Sequence, residues 1–218
     1  MVERYPGYDV LAKRDTVSWN DATRRAVDAR LAVEDRPIFL AEAAWLTLQA
    51  LCDRVLPQPS PADSGRVPAP LAAYVDRKLA DDRRDGYRKA ELPPLREAWT
   101  RGLAALEAEA LAVYAQPFHA LDGDGRDALI ARMSRGELTH PAWGAMPCAV
   151  FFTDRVQPDI VRAYYAHPNA WSEIGFGGPA SPRGYVRLDF GKRDPWEAAE
   201  AHPGREAQAA RENARVGR

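Results

Sequence analysis

The chain has 218 residues, of which 46% are hydrophobic and 28% charged, so it can bury a sizeable core in the manner of a soluble globular protein. Lys and Arg total 30 against 31 Asp and Glu, and this balance argues against a general binder of nucleic acid or membrane surfaces. No apolar run approaches the roughly 20 residues of a membrane-spanning helix, and the first forty residues show no secretory signal. We therefore expect a cytoplasmic protein.

The first predicted helix covers residues 18–33. Ser18 followed three residues later by Asp21 resembles a capping box, in which a hydroxyl and an acidic side chain satisfy amides at the start of a helix. Val27 and Leu31 are four residues apart and so lie on one face of the helix. We expect that face to be buried.

The second predicted helix runs from about Leu40 to Leu56. The Pro-rich segment 57–61 ends it, because proline lacks the amide that a helix needs. Cys52 and Cys148 both have apolar, helix-forming neighbours, which favours small buried side chains, and their spacing leaves disulfide pairing open. The residues predicted to form the buried face of this helix are Trp45, Leu48, Leu51, Cys52 and Val55.

Two further helices are predicted on either side of a highly charged segment. Pro70 can start the third helix, and Pro93 and Pro94 open the fourth. Residues 81–92 between them form either a loop or a frayed helical end. The apolar residues at helical spacing are Leu71, Tyr74, Val75 and Leu79 in the third helix, and Leu95, Trp99, Leu103, Leu106, Ala110 and Val113 in the fourth.

The helical pattern continues to about residue 165. A short helix is predicted over 124–135, with Gly136 as its C-terminal cap, and helical spacing returns over 150–165, where Pro158 predicts a kink or break. Regular structure is expected to end largely at His167. The predicted fold is an all-α helical bundle with an extended, irregular C-terminal arm rich in Gly, Pro and aromatic residues. The predicted parts are an N-terminal extension (1–17), the helical bundle (18–166), an irregular interaction arm (167–203) and a flexible charged tail (204–218).

No metal site is predicted. The segment 122–127 resembles the opening of a calcium loop, but Arg126 and Met133 stand where the fifth and twelfth ligands belong, so a helix-capping loop is favoured. The four histidines, at positions 119, 140, 167 and 202, are too widely spaced for a local zinc motif. His167 at the start of the arm is expected to be structural, with a hydrogen-bonding role there as the alternative.

Catalytic motifs are not evident either. The glycines in 175–178 could be mistaken for a phosphate loop, but Pro179 and Pro182 follow and each removes an amide donor. No nucleophile elbow is present, and neither cysteine has an activating neighbour. Trp171 and Trp196 lie among Gly and Pro, which favours them as interface anchors. An arm folded back onto its own bundle remains the alternative.

Several segments together resemble the gluconate 2-dehydrogenase subunit 3 family. The resemblance covers about residues 38–188, and its most specific part is the Glu-Ile-Gly-x-x-Gly-Pro segment that begins at Glu173. The matching segments are Leu-Gln-Ala-Leu-Cys-Asp-Arg-Val-Leu-Pro at 48–57, Phe-His-Ala-Leu at 118–121, Tyr-Tyr-Ala-His-Pro at 164–168, Trp-Ser-Glu-Ile-Gly-Phe-Gly-Gly-Pro-Ala at 171–180 and Pro-Arg-Gly-Tyr at 182–185.

The resemblance implies a non-catalytic auxiliary subunit. Such subunits accompany a large FAD-dependent dehydrogenase of the glucose–methanol–choline type that acts on sugars or sugar acids, and some complexes add a cytochrome subunit. The family implies that FAD is carried by the partner, with no catalytic, cofactor-binding or metal-binding residue in this chain. It also implies a role in the folding, stability or export of the partner. The exported members have a twin-arginine signal that this chain does not show, so a cytoplasmic flavoprotein complex and export by means of a partner's signal both stay open.

The working hypothesis is that the segment 164–188, which takes in the last helical residues and the first part of the arm, docks on the flavoprotein. Its aromatic and aliphatic side chains would supply buried area, Glu173 and Arg183 would orient the contact through charge, and the glycines would allow close backbone approach. The predicted partner-binding residues are Tyr164, Tyr165, His167, Trp171, Glu173, Ile174, Phe176, Gly177, Gly178, Pro179, Arg183, Tyr185 and Trp196.

Two other classes of function stay open at this point. One is a stand-alone enzyme or small-molecule binder with a pocket between bundle and arm, in which Tyr165, His167 and Glu173 supply the polar groups. The other is a helical adaptor for an unrelated enzyme. Activity or bound flavin in the isolated chain would favour the first of these.

Overall fold

The computed structural model describes residues 3–64, 67–179 and 196–216, and every regular element within those ranges is helical. The all-α prediction is therefore confirmed. Single turns occur at Val10–Lys13, Pro61–Ser64, Phe118–Ala120 and Pro141–Trp143. The helices are α1 (Asp21–Leu31), α2 (Glu42–Val55), α3 (Leu71–Ala80), α4 (Leu95–Tyr114), α5 (Gly123–Arg135), α6 (Cys148–Phe151), α7 (Gln157–Ala166), α8 (Pro168–Glu173) and α9 (Glu206–Asn213).

The chain divides into two compact units. The terminal unit combines both ends of the chain, Met1–Val33 and Tyr165–Arg218, and the central unit is Glu34–Tyr164. This division separates α1 from the other predicted bundle helices and places it with the predicted N-terminal extension and arm. The sequence pattern predicted a boundary near residue 166, but it did not predict that the two ends of the chain associate in one unit.

The core of the central unit is built around α4. Five of the six apolar residues predicted on its buried face are buried, and Val113, in the last turn, is exposed. Gly102 on this helix leaves room for the ring of Phe151, which meets Trp99 edge-on with ring centroids 5.4 Å apart. Trp143 completes the aromatic group, with its ring centroid 5.9 Å from that of Phe151.

The predicted faces of α2 and α3 are also largely buried. On α2, four of the five predicted residues are buried and Val55 is half-buried; on α3, Leu71, Val75 and Leu79 are buried and Tyr74 is half-buried. The charged segment after α3 lacks regular structure, which selects the loop from the two alternatives.

Three carboxylates inside the central unit are each satisfied by hydrogen bonds. Asp76 is fully buried and accepts the backbone N–H groups of three consecutive residues, 38–40. Glu109 accepts the backbone N–H of His140 and, at 3.3 Å, the indole N–H of Trp143. Asp159 accepts from the Lys78 ammonium and from the Trp99 indole. Such pairing offsets the large cost of burying a charge.

The irregularity predicted at Pro158 takes the form of one π-helical turn, Phe152–Val156, between α6 and α7. The Gln157 N–H reaches back to the Phe152 carbonyl, five residues earlier. Because Pro158 has no amide, the Asp154 carbonyl loses its normal helical donor. The Arg155 side chain replaces it, with Nη1 donating to that carbonyl at 2.9 Å.

The start of α1 differs from the prediction. Asn20, rather than Ser18, caps the helix, and its side-chain oxygen accepts the Thr23 N–H at 2.9 Å. Val27 is fully buried as expected, but Leu31 is 38% exposed. Leu31 is the last residue of α1, and at this end of the helix the predicted buried face is open to solvent.

Regular structure also continues beyond His167, contrary to the prediction. Pro168 begins α8, which its fixed φ favours, and α9 forms within the segment predicted to be a flexible tail. The Asn213 side chain fastens α9 inside the terminal unit. It accepts the Ala199 N–H and donates to the carbonyls of Ala199 and Pro6.

Candidate interaction surface

His167 forms the N-cap of α8. Its Nδ1 accepts the Asn169 N–H at 3.3 Å, and its ring is buried. Burial disfavours the charged imidazolium and lowers the pKa of His167 to about 4. The ring therefore stays neutral at physiological pH, which suits the accepting role of Nδ1. The ring thus has a structural role of the kind that the sequence favoured, and it fills that role through a hydrogen bond within the arm.

The most specific segment of the arm ends α8 in a Schellman motif. The Phe176 N–H bonds the Trp171 carbonyl at 2.9 Å, and the Gly175 N–H bonds the Ser172 carbonyl at 3.4 Å. Gly175 has a φ of +68°, which only glycine adopts without strain. The apolar contact that accompanies this motif is also present, since the rings of Trp171 and Phe176 meet edge-on with centroids 5.5 Å apart. The glycine thus has a local structural cause.

Trp171 belongs to the core of the terminal unit. Its side chain is 4% exposed, its indole N–H donates to the Tyr165 carbonyl at 2.7 Å, and the Arg30 guanidinium lies 5.5 Å from its ring centroid. A residue buried in this way has little area left for a partner. The other buried members of this core are Tyr8, Val10, Trp19, Val27, Ala198 and Val216.

The N-terminal segment of the chain lies directly on the arm. The Val10 N–H donates to the Ser172 hydroxyl at 3.1 Å, and the Lys13 ammonium donates to the Gly177 carbonyl at 3.2 Å. Gly178, at φ +72°, lies so close to Val10 that a Cβ there would be 3.0 Å from the valine Cγ2. At Gly178, therefore, the absence of a side chain lets the backbone approach the N-terminal segment of this same chain closely.

Four of the eleven predicted partner-binding residues that the structure describes have exposed side chains, and we call them the arm surface: Tyr165, Glu173, Ile174 and Phe176. Tyr165 is 48% exposed, Ile174 41% and Phe176 37%, and Glu173 is also exposed. Ile174 is the C-cap residue of α8. Phe176 is held by the contact of its ring with Trp171 and by a hydrogen bond that its carbonyl accepts from the Tyr8 hydroxyl at 3.2 Å. Large apolar side chains are thus displayed from an ordered backbone.

The remaining predicted partner-binding residues fall into three groups. Tyr164 and Gly178 are buried, and Gly177, Pro179 and Trp196 are half-buried. Arg183 and Tyr185 lie outside the described residues. No contact with a partner tests any of these assignments, so the binding role of the set stays a prediction.

The stand-alone alternative required three polar groups around one pocket. His167 is buried and its Nδ1 is occupied by the Asn169 amide, whereas the side chains of Tyr165 and Glu173 are exposed. The His167 Nδ1 is therefore already engaged within α8, which leaves it unavailable as the acceptor that such a pocket would need.

Metal and thiol chemistry find little support in the part of the chain that the structure describes. No group of three or more His, Cys, Asp or Glu side chains there is placed to hold a metal ion. Asp122 caps α5 by accepting the Gly125 N–H at 2.8 Å, as the sequence predicted. Cys52 and Cys148 are free and buried, and burial raises the pKa of the Cys52 thiol. None of the described helices has the length and apolar character needed to cross a membrane.

Sequence reasoning missed the contribution of the N-terminal segment to this region. The only indication of this contribution in the sequence is that aromatic and aliphatic residues occur in an otherwise polar N-terminal stretch. The residues concerned are Tyr5, Tyr8, Val10 and Trp19. Their spacing follows no helical or strand period, and so it did not indicate a buried face.

Comparison with known proteins gives one family and one partial relative. The model of the family described as gluconate 2-dehydrogenase subunit 3 matches residues 42–178, more than half of the chain. Over an alignment of 82 residues this chain is 40% identical to the anti-sigma-E factor ChrR of Cereibacter sphaeroides, and the alignment covers 35% of this chain and 38% of that protein. The chain thus spans well under half of that relative's length. No solved structure matches.

Proposed function

Because this chain belongs to the gluconate 2-dehydrogenase subunit 3 family, we propose that it binds and stabilises a large FAD-dependent dehydrogenase of sugars or sugar acids. The family implies an auxiliary subunit of a dehydrogenase complex. The finer statement, that the partner is a glucose–methanol–choline type flavoprotein held by the arm, is the proposal. A cytochrome subunit would be a further member of such a complex.

The observation that carries the proposal is the arm surface. Tyr165, Ile174 and Phe176 expose large apolar area from a backbone fixed by a helix cap, a Schellman motif and contacts with the N-terminal segment. An interface benefits from such fixed side chains because little conformational entropy is lost on binding. The matched family segment, residues 42–178, includes all of them.

The structure changes which residues are proposed to make the contact. Trp171 and His167 would act indirectly, by fixing the backbone from which the exposed residues project. Glu173 is exposed and would orient the contact by charge. Arg183 and Tyr185 remain in the proposal on the strength of the sequence alone. An obligate contact of this kind would bury about 2,000 Å² or more in total and make partner stability depend on assembly.

Co-expression with an FAD-dependent dehydrogenase captured with this chain from the native host tests the proposal. Ile174→Asp places a charge in the arm surface, and we expect it to reduce co-purification of the flavoprotein at least tenfold. Leu31→Asp is the matched control, because Leu31 is 38% exposed, belongs to the same unit and also lies at the end of a helix. Trp171→Ala is unsuitable, since it would open a cavity in the core of the terminal unit.

Two results would contradict the docking proposal. One is undiminished recovery of active flavoprotein with both Ile174→Asp and Phe176→Asp. The other is an equal loss with Leu31→Asp, which would indicate general destabilisation instead of a specific contact. Circular dichroism of each purified variant establishes that the helices are retained.

The location of the flavin is a separate part of the proposal. We assign FAD to the partner, so the isolated chain should show no flavin absorbance and no sugar oxidation, while the complex shows both. Flavin bound to the isolated chain would overturn this assignment. We also propose that the complex is cytoplasmic, and cell fractionation followed by detection of this chain tests that location.

The likeness to an anti-sigma factor favours a second candidate, a protein-binding role with a different partner. That relative is named for its action on a sigma factor, and the likeness covers 35% of this chain. A pull-down from the native host decides between the two. A flavoprotein among the captured proteins supports the first candidate, and a transcription factor with no flavoprotein supports the second.

A further inference from the structure

A cleft in the central unit is lined by none of the arm residues that the structure describes, and it has no part in the proposed function. It has a volume of about 290 Å³, close to the lower end of small-molecule sites. Its walls come from three places: the loop residues 84–88, the start of α4 at residues 94–95, and Arg155 in the π-helical turn. A single water needs far less room, so a cleft of this size can take a small molecule.

Arg155 is an unusual residue to find in such a wall. Its side chain is only 7% exposed, and within the described structure Nε has no hydrogen-bond partner. Nη1 donates to the Asp154 carbonyl and lies 3.5 Å from an Asp85 carboxylate oxygen. A buried guanidinium with an unsatisfied donor carries a free-energy cost that a bound acceptor can remove. π-helical turns are also frequent at functional sites.

The other charges of the cleft leave it positive. Arg84 and Arg88 line it together with Arg155, against the single carboxylate of Asp85. That carboxylate is already paired with the Lys78 ammonium at 2.9 Å and with the Arg162 guanidinium at 3.2 Å.

Two of the lining arginines already have acceptors, which limits their role. Arg84 pairs with Asp82 at 2.5 Å, and the Arg88 guanidinium donates to the Leu92 carbonyl. The Asp82 side chain is partly exposed to solvent, so its ion pair with Arg84 lies at the surface. Arg84 is 70% exposed, so it can turn toward a ligand without disturbing the core.

The start of α4 adds to the positive potential. Pro94 occupies the N-cap position and no side chain caps the helix, so the first amides of a 20-residue helix begin at the wall of the cleft. The positive end of the helix dipole favours an anion there. Tyr87, Pro94 and Leu95 supply apolar surface beside these charges.

We propose that this cleft binds a small organic acid, with its carboxylate between Arg155 and Arg84 and its apolar body against Tyr87 and Leu95. The apolar wall distinguishes this ligand class from inorganic phosphate, which has no apolar part to place there. Guanidinium groups suit a carboxylate because two parallel donors match its two oxygens.

The test uses the full chain with sodium benzoate as the probe, and sodium phosphate and sodium chloride at matched ionic strength as comparisons. Thermal unfolding is followed at increasing probe concentration, and titration calorimetry gives the dissociation constant. A ligand that binds only the folded chain raises the midpoint in a saturable way. We expect saturation with benzoate, and no saturable rise with chloride or phosphate.

Matched variants locate the site. Arg84→Gln should weaken benzoate binding at least fivefold, and Arg155→Lys at least tenfold. Arg83→Gln should leave it unchanged, because Arg83 is in the same loop, is paired with Asp81 and does not line the cleft. Arg84 is exposed enough that its variant will fold even if Arg155→Lys does not.

Four outcomes would overturn the proposal. The first three are a benzoate effect no larger than that of chloride, a dissociation constant unchanged by Arg84→Gln, and equal weakening by Arg83→Gln. Saturable binding of phosphate in preference to benzoate would also overturn it, because the apolar wall would then have no part in recognition.

Discussion

At the scale of single residues, Gly102 shows how one missing side chain sets the packing of the central unit. A Cβ at this position would lie 2.2 Å from Cζ of Phe151, a ring that is fully buried and cannot swing aside. Alanine usually stabilises a helix interior by about 1 kcal/mol relative to glycine. Here overpacking costs more than that gain, and we expect Gly102→Ala to lower the free energy of unfolding by about 2 kcal/mol.

The control for this prediction is Gly123→Ala in α5. A Cβ added there would have Arg54 Nη1 as its nearest neighbour, at 3.6 Å, which is an ordinary contact. Urea unfolding should therefore show an unchanged or slightly higher stability for Gly123→Ala. A neutral or stabilising Gly102→Ala would mean that the ring of Phe151 can move, and that the aromatic group is not closely packed.

His167 gives the terminal unit a defined response to pH. Burial lowers its folded pKa to about 4, whereas in the unfolded chain the imidazole titrates at about 6.5. Between these values the unfolded state binds more protons, so stability rises with pH across this window and is lost on acidification. We expect a loss of about 2 kcal/mol from this group between pH 7 and pH 5.

His167→Asn is the matched variant for that pH dependence. Asparagine keeps an acceptor for the Asn169 N–H and is a good N-cap, so α8 should persist. The difference between the unfolding free energies of the parent and the variant, measured from pH 7 to pH 5, isolates the imidazole from the carboxylates. Parallel curves for the two proteins would show that His167 does not titrate differently on folding.

At the scale of elements, Asp76 on α3 fastens the segment that leads into α2. Its two oxygens accept the backbone N–H groups of Ile38, Phe39 and Leu40 at 2.6 to 3.1 Å. Asparagine would leave only one acceptor and turn an NH₂ group toward a backbone donor. We expect Asp76→Asn to cost about 2 to 3 kcal/mol in urea unfolding and to speed hydrogen exchange at residues 38–40.

Asp81→Asn separates that effect from a general loss of charge. Asp81 ends the same helix, and its side chain is 59% exposed in an ion pair with Arg83. Exposed pairs of this kind contribute little, so its substitution should change stability by less than about 0.5 kcal/mol. Equal losses in the two variants would rule out the hydrogen bonds to residues 38–40 as the cause.

The elements also show what the sequence can and cannot predict. Long helices such as α4 were predictable because apolar residues recur every three or four positions along them and bury one face. The cap of α1 was not, because Ser18 and Asn20 are both good N-cap residues and packing decides between them. Pro158 indicated a break, but the π-helical turn depends on Arg155 supplying a donor to the Asp154 carbonyl. A side chain that replaces a missing backbone donor in this way produces no periodic pattern in the sequence, so it could not be predicted.

At the scale of the whole molecule, the terminal unit could not have been predicted from local pattern. Its defining contacts join residues far apart in the chain, as Val10 with Ser172 and Asn213 with Pro6. Pairings across such distances leave no periodicity in either segment. The family match covers 42–178, so the arm surface lies within it while both ends that pack around the arm lie outside. The candidate surface is thus shaped by segments that the family match does not cover.

The dependence of the arm on the N-terminal segment gives the last prediction. Val10 is fully buried against the arm, and Val10→Asp would place an unpaired charge in that core at a cost of about 3 kcal/mol or more. In this variant Trp171 loses part of its packing, so we expect limited proteolysis to cut the chain between residues 165 and 216. The central unit, Glu34–Tyr164, should resist cleavage and remain as a fragment.

Val17→Asp is the matched control, because Val17 belongs to the same segment and is 88% exposed. Its cleavage pattern should equal that of the parent chain. If Val10→Asp also left the arm protected, the N-terminal segment would not be what orders it. The exposure of Ile174 and Phe176 would then have to come from α8 and its Schellman motif alone, and a chain shortened to the family-matched segment should bind the flavoprotein as well as the full one.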